Sequence, residues 1–216
     1  MVLMPEPPTD AYRLTDHWWW RPGWRVGSRY YALHLLLDDQ PTLVQLAQRY
    51  QSVLAGFDAL DPIPEPWLHI TLQGVGHIED LTGAELDRTF QAVGRRAAAL
   101  RPEPLEFRRA TIFGEGVVLV PSDPTPLAEV YEGIRAGIAE ARDASAVADS
   151  DHTFVPHVTV AYANRAAATA PIRTALDAVT PAGAVSIRFR RLSLIMMHRD
   201  RRIYEWVELG TVALHS

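Results

Sequence analysis

Trp67-Leu68-His69-Ile70-Thr71-Leu72 and, 88 residues on from one histidine to the other, Val155-Pro156-His157-Val158-Thr159-Val160 decide how this chain is read. In an extended strand residues i and i+2 project to one face, so His69 and Thr71 share a side while Ile70 turns to the core. His157 and Thr159 do the same around Val158. Each strand offers one imidazole and one hydroxyl. With eight histidines in the chain, chance gives roughly half of one His-x-Thr match, so a single copy would carry little weight. Two copies, each set among apolar strand residues and each at the same place in a repeat, carry much more.

The repeat appears on working outward. Tyr30 to Leu37 reads as a buried strand, and Thr42 to Leu54 as a helix with Leu43, Leu46, Ala47, Tyr50, Val53 and Leu54 on one face. After the first His-x-Thr strand, Thr82 with Glu85 three residues on forms a capping box that opens a second helix, which Pro102 and Pro104 end. Leu105 to Phe113 reads as a strand, and Gly114-Glu115-Gly116 as a tight turn into Val117 to Val120. The order then recurs: a strand, a helix over Thr125 to Arg142, the second His-x-Thr strand, and a helix around Ile172 to Val179. Arg188 to Ser193 then echoes Glu106 to Thr111 at an offset of 82. A last hairpin through Asp200 runs into Ile203 to Leu209. We therefore expect an irregular Pro/Trp-rich extension over residues 1–28, and one bilobal domain over 29–216 with halves of about 29–115 and 116–216.

Composition bounds the chemistry. The 216 residues contain no cysteine, which excludes a disulfide framework, a thiolate zinc site and a cysteine nucleophile. A net charge of −5 disfavours a long nucleic-acid platform, which needs a basic face. All 21 cationic residues are arginine, a residue that grips phosphate with two parallel hydrogen bonds, so a few of them near a groove could still hold a phosphate ester. No stretch reaches the roughly 18 consecutive apolar residues of a membrane span, and Met1 to Asp10 lacks the regions of a signal peptide. The expectation is a cytoplasmic monomer with no membrane partner and no cofactor.

A pseudo-twofold arrangement of the two halves sets two imidazoles on opposite sides of one pocket. In-line attack on a cyclic phosphodiester needs that set: a neutral histidine to take a proton from water, a protonated one to give a proton to the leaving oxygen, and donors for the phosphoryl oxygens. An unperturbed pKa of about 6.5 lets both histidine forms coexist near neutrality.

On these residues the chain resembles the 2H phosphoesterase superfamily, specifically the bacterial 2'-5' RNA ligase-like proteins, over about residues 29 to 210. The resemblance implies an α+β fold with two antiparallel sheets around a central groove and helices outside. It implies metal-independent action on 2',3'-cyclic phosphates or 2'-5' linkages of RNA ends or small nucleotides. It implies catalytic roles for His69 and His157 and phosphate-binding roles for Thr71 and Thr159. The Trp18-Trp19-Trp20-Arg21-Pro22-Gly23-Trp24 run is not part of the pattern.

Further candidates for substrate contact are Gln73, which continues the His69 and Thr71 face, Tyr162, Tyr204 and His34. Against each stands an ordinary packing role, as it does for Phe154. Asp149, Asp151 and His152 read as a solvated loop and not as a metal site. The competing function classes are a non-catalytic nucleotide- or RNA-binding module on the same fold, and a metal-dependent hydrolase that a chelator would silence.

Overall fold

The computed structural model describes residues 12–147, 154–180 and 183–214. In chain order the elements are β1 (Arg13–Leu14), β2 (Tyr30–Leu36), α1 (Pro41–Leu54), β3 (Leu60–Pro62), β4 (His69–His77), α2 (Gly83–Ala97), β5 (Leu105–Phe113), β6 (Gly116–Pro121), α3 (Thr125–Ala141), β7 (Val158–Ala163), β8 (Ala167–Ala168), α4 (Thr169–Asp177), β9 (Val185–Ile187), β10 (Arg191–His198) and β11 (Glu205–Ala213). Local chemistry accounts for several boundaries. Thr82 accepts from the Glu85 amide and the Glu85 side chain accepts from the Thr82 amide, which closes the capping box of α2. Pro41 opens α1 at a position whose amide would have no helical partner in any case.

The expected strand from Arg188 starts three residues late. Residues 188–190 are irregular: β9, which pairs with β5, ends just before them at Ile187, and β10 begins only at Arg191 and pairs with β2 and β11. Among the described residues of the lead, 12–28, the only strand is β1, whose two residues pair with β8. Asp149, Asp151 and His152 lie outside the described residues.

All pairing in the main sheet is antiparallel, in the order β11-β10-β2-β4-β7-β6-β5-β9 with β3 added on β7. The last strand of each sequence repeat is exchanged: β10 joins β2 and β4, and β5 joins β6 and β7. The two lobes meet at a single assigned pair, Ile70 with Val158, both fully buried. Beyond it β3 takes over the same edge of β7, opposite Ala161 to Ala163, so β4 diverges and a groove opens between the lobes. α2 and α3 pack on the first lobe, through β11 and β4, and α1 and α4 on the second, through β7, β9 and β5.

The α2–α3 contact is set by Gly137. A Cβ there would lie 2.7 Å from the Cα of Val93, and backbone cannot rotate aside as a side chain can. Replacing glycine by alanine inside a helix ordinarily adds about 1 kcal/mol of stability, but forcing packed helices apart costs about 1–3 kcal/mol. Gly137→Ala should therefore lower the melting temperature, and a raised one in thermal unfolding would show that the helices can separate freely.

Candidate active site

Around the Ile70–Val158 pair the antiparallel register sets His69 near Thr159 and Thr71 near His157 on the shared face. This is the pseudo-twofold arrangement that the repeat predicts. Both rings are half-buried, and each is held by the carbonyl two residues before it: His69 Nδ1 lies 2.9 Å from Trp67 O and His157 Nδ1 lies 2.7 Å from Val155 O. A carbonyl only accepts, so Nδ1 carries the hydrogen in both rings and Nε2 is the nitrogen left for proton transfer. Trp206 of β11 stands edge-on to His69, centroids 5.0 Å apart, and Phe113 of β5 stands edge-on to His157 at 5.4 Å. The two halves thus match in tautomer and in aromatic support.

Burial lowers both imidazoles. His69 is pushed down to about 4 by burial, with the His157 charge acting in the same direction and the Trp67 carbonyl opposing. His157 is also lowered by burial, against the pull of the Val155 carbonyl. Without a bound anion both are neutral at pH 7.

Each His-x-Thr strand carries a β-bulge directly after its threonine. In β4 His34 pairs with Thr71 and Leu33 with Gln73, so Leu72 is the extra residue; in β7 Val118 pairs with Thr159 and Val117 with Ala161, so Val160 is the extra one. Cross-strand partners share a face, so a bulge reverses the alternation beyond it. That corrects one expectation: Gln73 does not continue the His69 and Thr71 face, but sits opposite core Leu33, buried, with its amide donating to the Gly74 carbonyl. The same device brings Tyr162 onto the groove face opposite Gly116, where a Cβ would lie 2.5 Å from the Ala161 carbonyl. Phe154 stacks on Tyr131 of α3 at 4.2 Å, a packing role. His34 stacks on His69, and Tyr204 packs against His17 and Tyr162.

The model of the 2'-5' RNA ligase superfamily matches residues 39–201. The chain belongs to that superfamily. Among solved structures, this superfamily member is similar to TT0787 of Thermus thermophilus, with 21% identity, a TM-score of 0.64, and coverage of 88% of this chain and 98% of that one. It is also similar to E. coli LigT solved with 3'-AMP, with 16% identity, a TM-score of 0.63, and coverage of 88% and 99%. Both likenesses concern the fold. No curated protein matches by sequence.

Several groups at the superfamily member's groove lie outside the matched residues, among them His17, His34 and Trp206. Sequence reasoning set the lead aside, yet it forms a wall of the groove. His17 stacks on Tyr162 at 3.7 Å, its Nδ1 lies 2.9 Å from Glu115 Oε2 and its Nε2 lies 3.2 Å from Tyr204 Oη. Glu115 also accepts from Trp19 Nε1 at 2.9 Å and from Arg21 at 2.6 Å. Arg199, buried, donates to the His17 and Trp19 carbonyls. A cavity of about 150 Å³ remains there, lined by His17, Phe113, Glu115, His157, Thr159 and Tyr162 among others. The available signal was the density of aromatic residues in the lead, with His17 directly before Trp18-Trp19-Trp20. Nothing in the spacing of Trp206 marked it.

Proposed function

We propose that the protein is a metal-independent phosphodiesterase that acts on 2',3'-cyclic phosphates or 2'-5' linkages of small nucleotides or RNA ends. The observation that carries this reading is the pair of half-buried imidazoles on one groove face, each with Nδ1 tied to its own strand and Nε2 left for proton transfer. One Nε2 takes a proton from the attacking water while the other, protonated, gives one to the leaving oxygen. Thr71 and Thr159 donate to the phosphoryl oxygens. The solution of LigT with 3'-AMP and with phosphate supports a small phosphorylated ligand for this fold.

A panel of 2',3'-cyclic mononucleotides, 2'-5' dinucleotides and ADP-ribose cyclic phosphate, followed by phosphorus NMR, tests the reading. Turnover of one class that persists in EDTA is expected. Binding without turnover would favour a nucleotide-binding module, and loss in EDTA with recovery on zinc or manganese would favour a metal-dependent hydrolase.

The pH dependence follows from the lowered histidines. Activity is lost as pH falls through the pKa of the base and lost as pH rises through that of the acid, so the profile is bell-shaped. Both groups lie below their ordinary value in the free protein, so the kcat/KM optimum should fall below about pH 6.5. A bound phosphate anion favours imidazolium and should carry the kcat profile to higher pH. Coincident profiles centred above neutrality would contradict this.

A further inference from the structure

His34 of β2 touches both members of the first catalytic pair. It is 1% exposed, and its ring lies parallel to that of His69, with centroids 4.3 Å apart and planes 5° from coplanar. Its Nε2 lies 3.3 Å from Thr71 Oγ1, while its Nδ1 is buried with no hydrogen-bond partner. The one hydrogen of the neutral ring must sit on either nitrogen. A buried N–H without an acceptor is costlier than an unpaired lone pair, so the hydrogen belongs on Nε2, which donates to Thr71. A hydroxyl that accepts on that side keeps its own hydrogen to donate elsewhere, and Thr71 is exposed.

The surroundings keep this ring uncharged. On β4 it faces His69; on β10 its cross-strand neighbour is Ser193, whose hydroxyl donates to Glu208 Oε1 of β11 at 2.5 Å. Arg191 lies 3.9 Å from that carboxylate, Trp206 of β11 stands edge-on to His34 at 5.7 Å, and His157 of β7 lies beyond His69. Burial, with the His69 charge adding to it, holds His34 well below its ordinary range.

We infer that His34 is a positioning residue of this groove: it turns the Thr71 hydroxyl hydrogen toward a bound phosphoryl oxygen and shields one face of His69 from water. The inference rests on the phosphoester reading of the groove, and deepens it with a residue outside the family match. It separates into two parts that two substitutions can test apart. His34→Phe keeps a ring against His69 and loses the donor, whereas His34→Gln keeps a donor within reach of Thr71 and loses the ring.

Affinity for adenosine 3'-monophosphate by calorimetry and the titration of His69 by nitrogen-15 NMR give the two readouts, with urea unfolding to check each variant. His34→Phe should bind about tenfold more weakly, the loss of one hydrogen bond to a charged ligand, with His69 titrating as in the parent. His34→Gln should bind within about threefold of the parent, with the His69 pKa rising toward about 6.5 as water reaches the ring. In a Thr71→Val background His34→Phe should cost no further affinity, which a merely structural role would not predict. Parent-like affinity in His34→Phe, an undiminished loss when Thr71 is valine, or an unmoved His69 in His34→Gln would overturn the inference. A parent protein that binds neither the nucleotide nor inorganic phosphate would instead overturn the phosphoester reading, and the NMR comparison would still test the contact of His34 with His69.

Discussion

His69→Ala and His157→Ala should each lower turnover of the preferred substrate by at least about a hundredfold, because each removes one half of an acid–base pair whose members contribute about 10²–10⁴-fold. Both rings are fastened at Nδ1 and only half-buried, so the fold should survive their loss; His69→Gln refills the space beside His34 and serves as a volume control. The two residues act as a unit, so the double variant should be far less impaired than the product of the single effects. Steady-state kinetics of the three variants, beside circular dichroism, measure this. The pH profiles assign the roles: loss of the base should flatten the acid limb, and loss of the acid should flatten the alkaline limb. Full activity in either single variant excludes the two-histidine mechanism.

The second large effect concerns stability in acid. His17 and His34, 7% and 1% exposed, are held neutral far below their ordinary range, His17 by burial with Arg21 and Arg199 adding to it, and His34 by burial and His69. In the unfolded chain both titrate at about 6.5. The unfolded state therefore binds more protons below that pH, and the stability present above pH 6.5 is lost as pH falls. Each such group costs about 1.4 kcal/mol per pH unit, so near pH 5 each approaches about 2 kcal/mol. His69 and His157, which face solvent across the groove, contribute in the same direction and less. The total is a large share of the roughly 5–15 kcal/mol of a typical domain. Urea midpoints at pH 7.5, 6 and 5 should fall steeply, and His17→Phe should flatten the fall if the larger ring is accommodated. A midpoint independent of pH over that range would mean that neither ring is held neutral in the fold.

The strength of the sequence lay where local rules hold. The helix that opens at Thr82, the Leu105 to Phe113 strand and the Gly114-Glu115-Gly116 turn are all as expected, because a capping box, a β-rich run and a pair of glycines act within a few residues of themselves. Period-two reading carried His69 with Thr71, and His157 with Thr159, to one face. It failed at Gln73, since a bulge adds a residue without leaving a mark in composition, and the bulge at Leu72 reverses the side chains after it as far as a second bulge at Val75.

By itself the sequence determined a duplicated α+β chain with two imidazole–hydroxyl strands, because apolar periodicity and the order of elements are written along the chain. Only the tertiary structure decided which strands neighbour which. The exchange of β5 and β10 between lobes depends on long-range pairing, whose free energy is spread over many residues far apart in sequence. It also decided that the lead is part of the site. Glu115, 94 residues from Arg21, holds it there through a carboxylate that also meets His17 and Trp19. Such a contact depends on where two distant segments come to rest, and no local pattern encodes that.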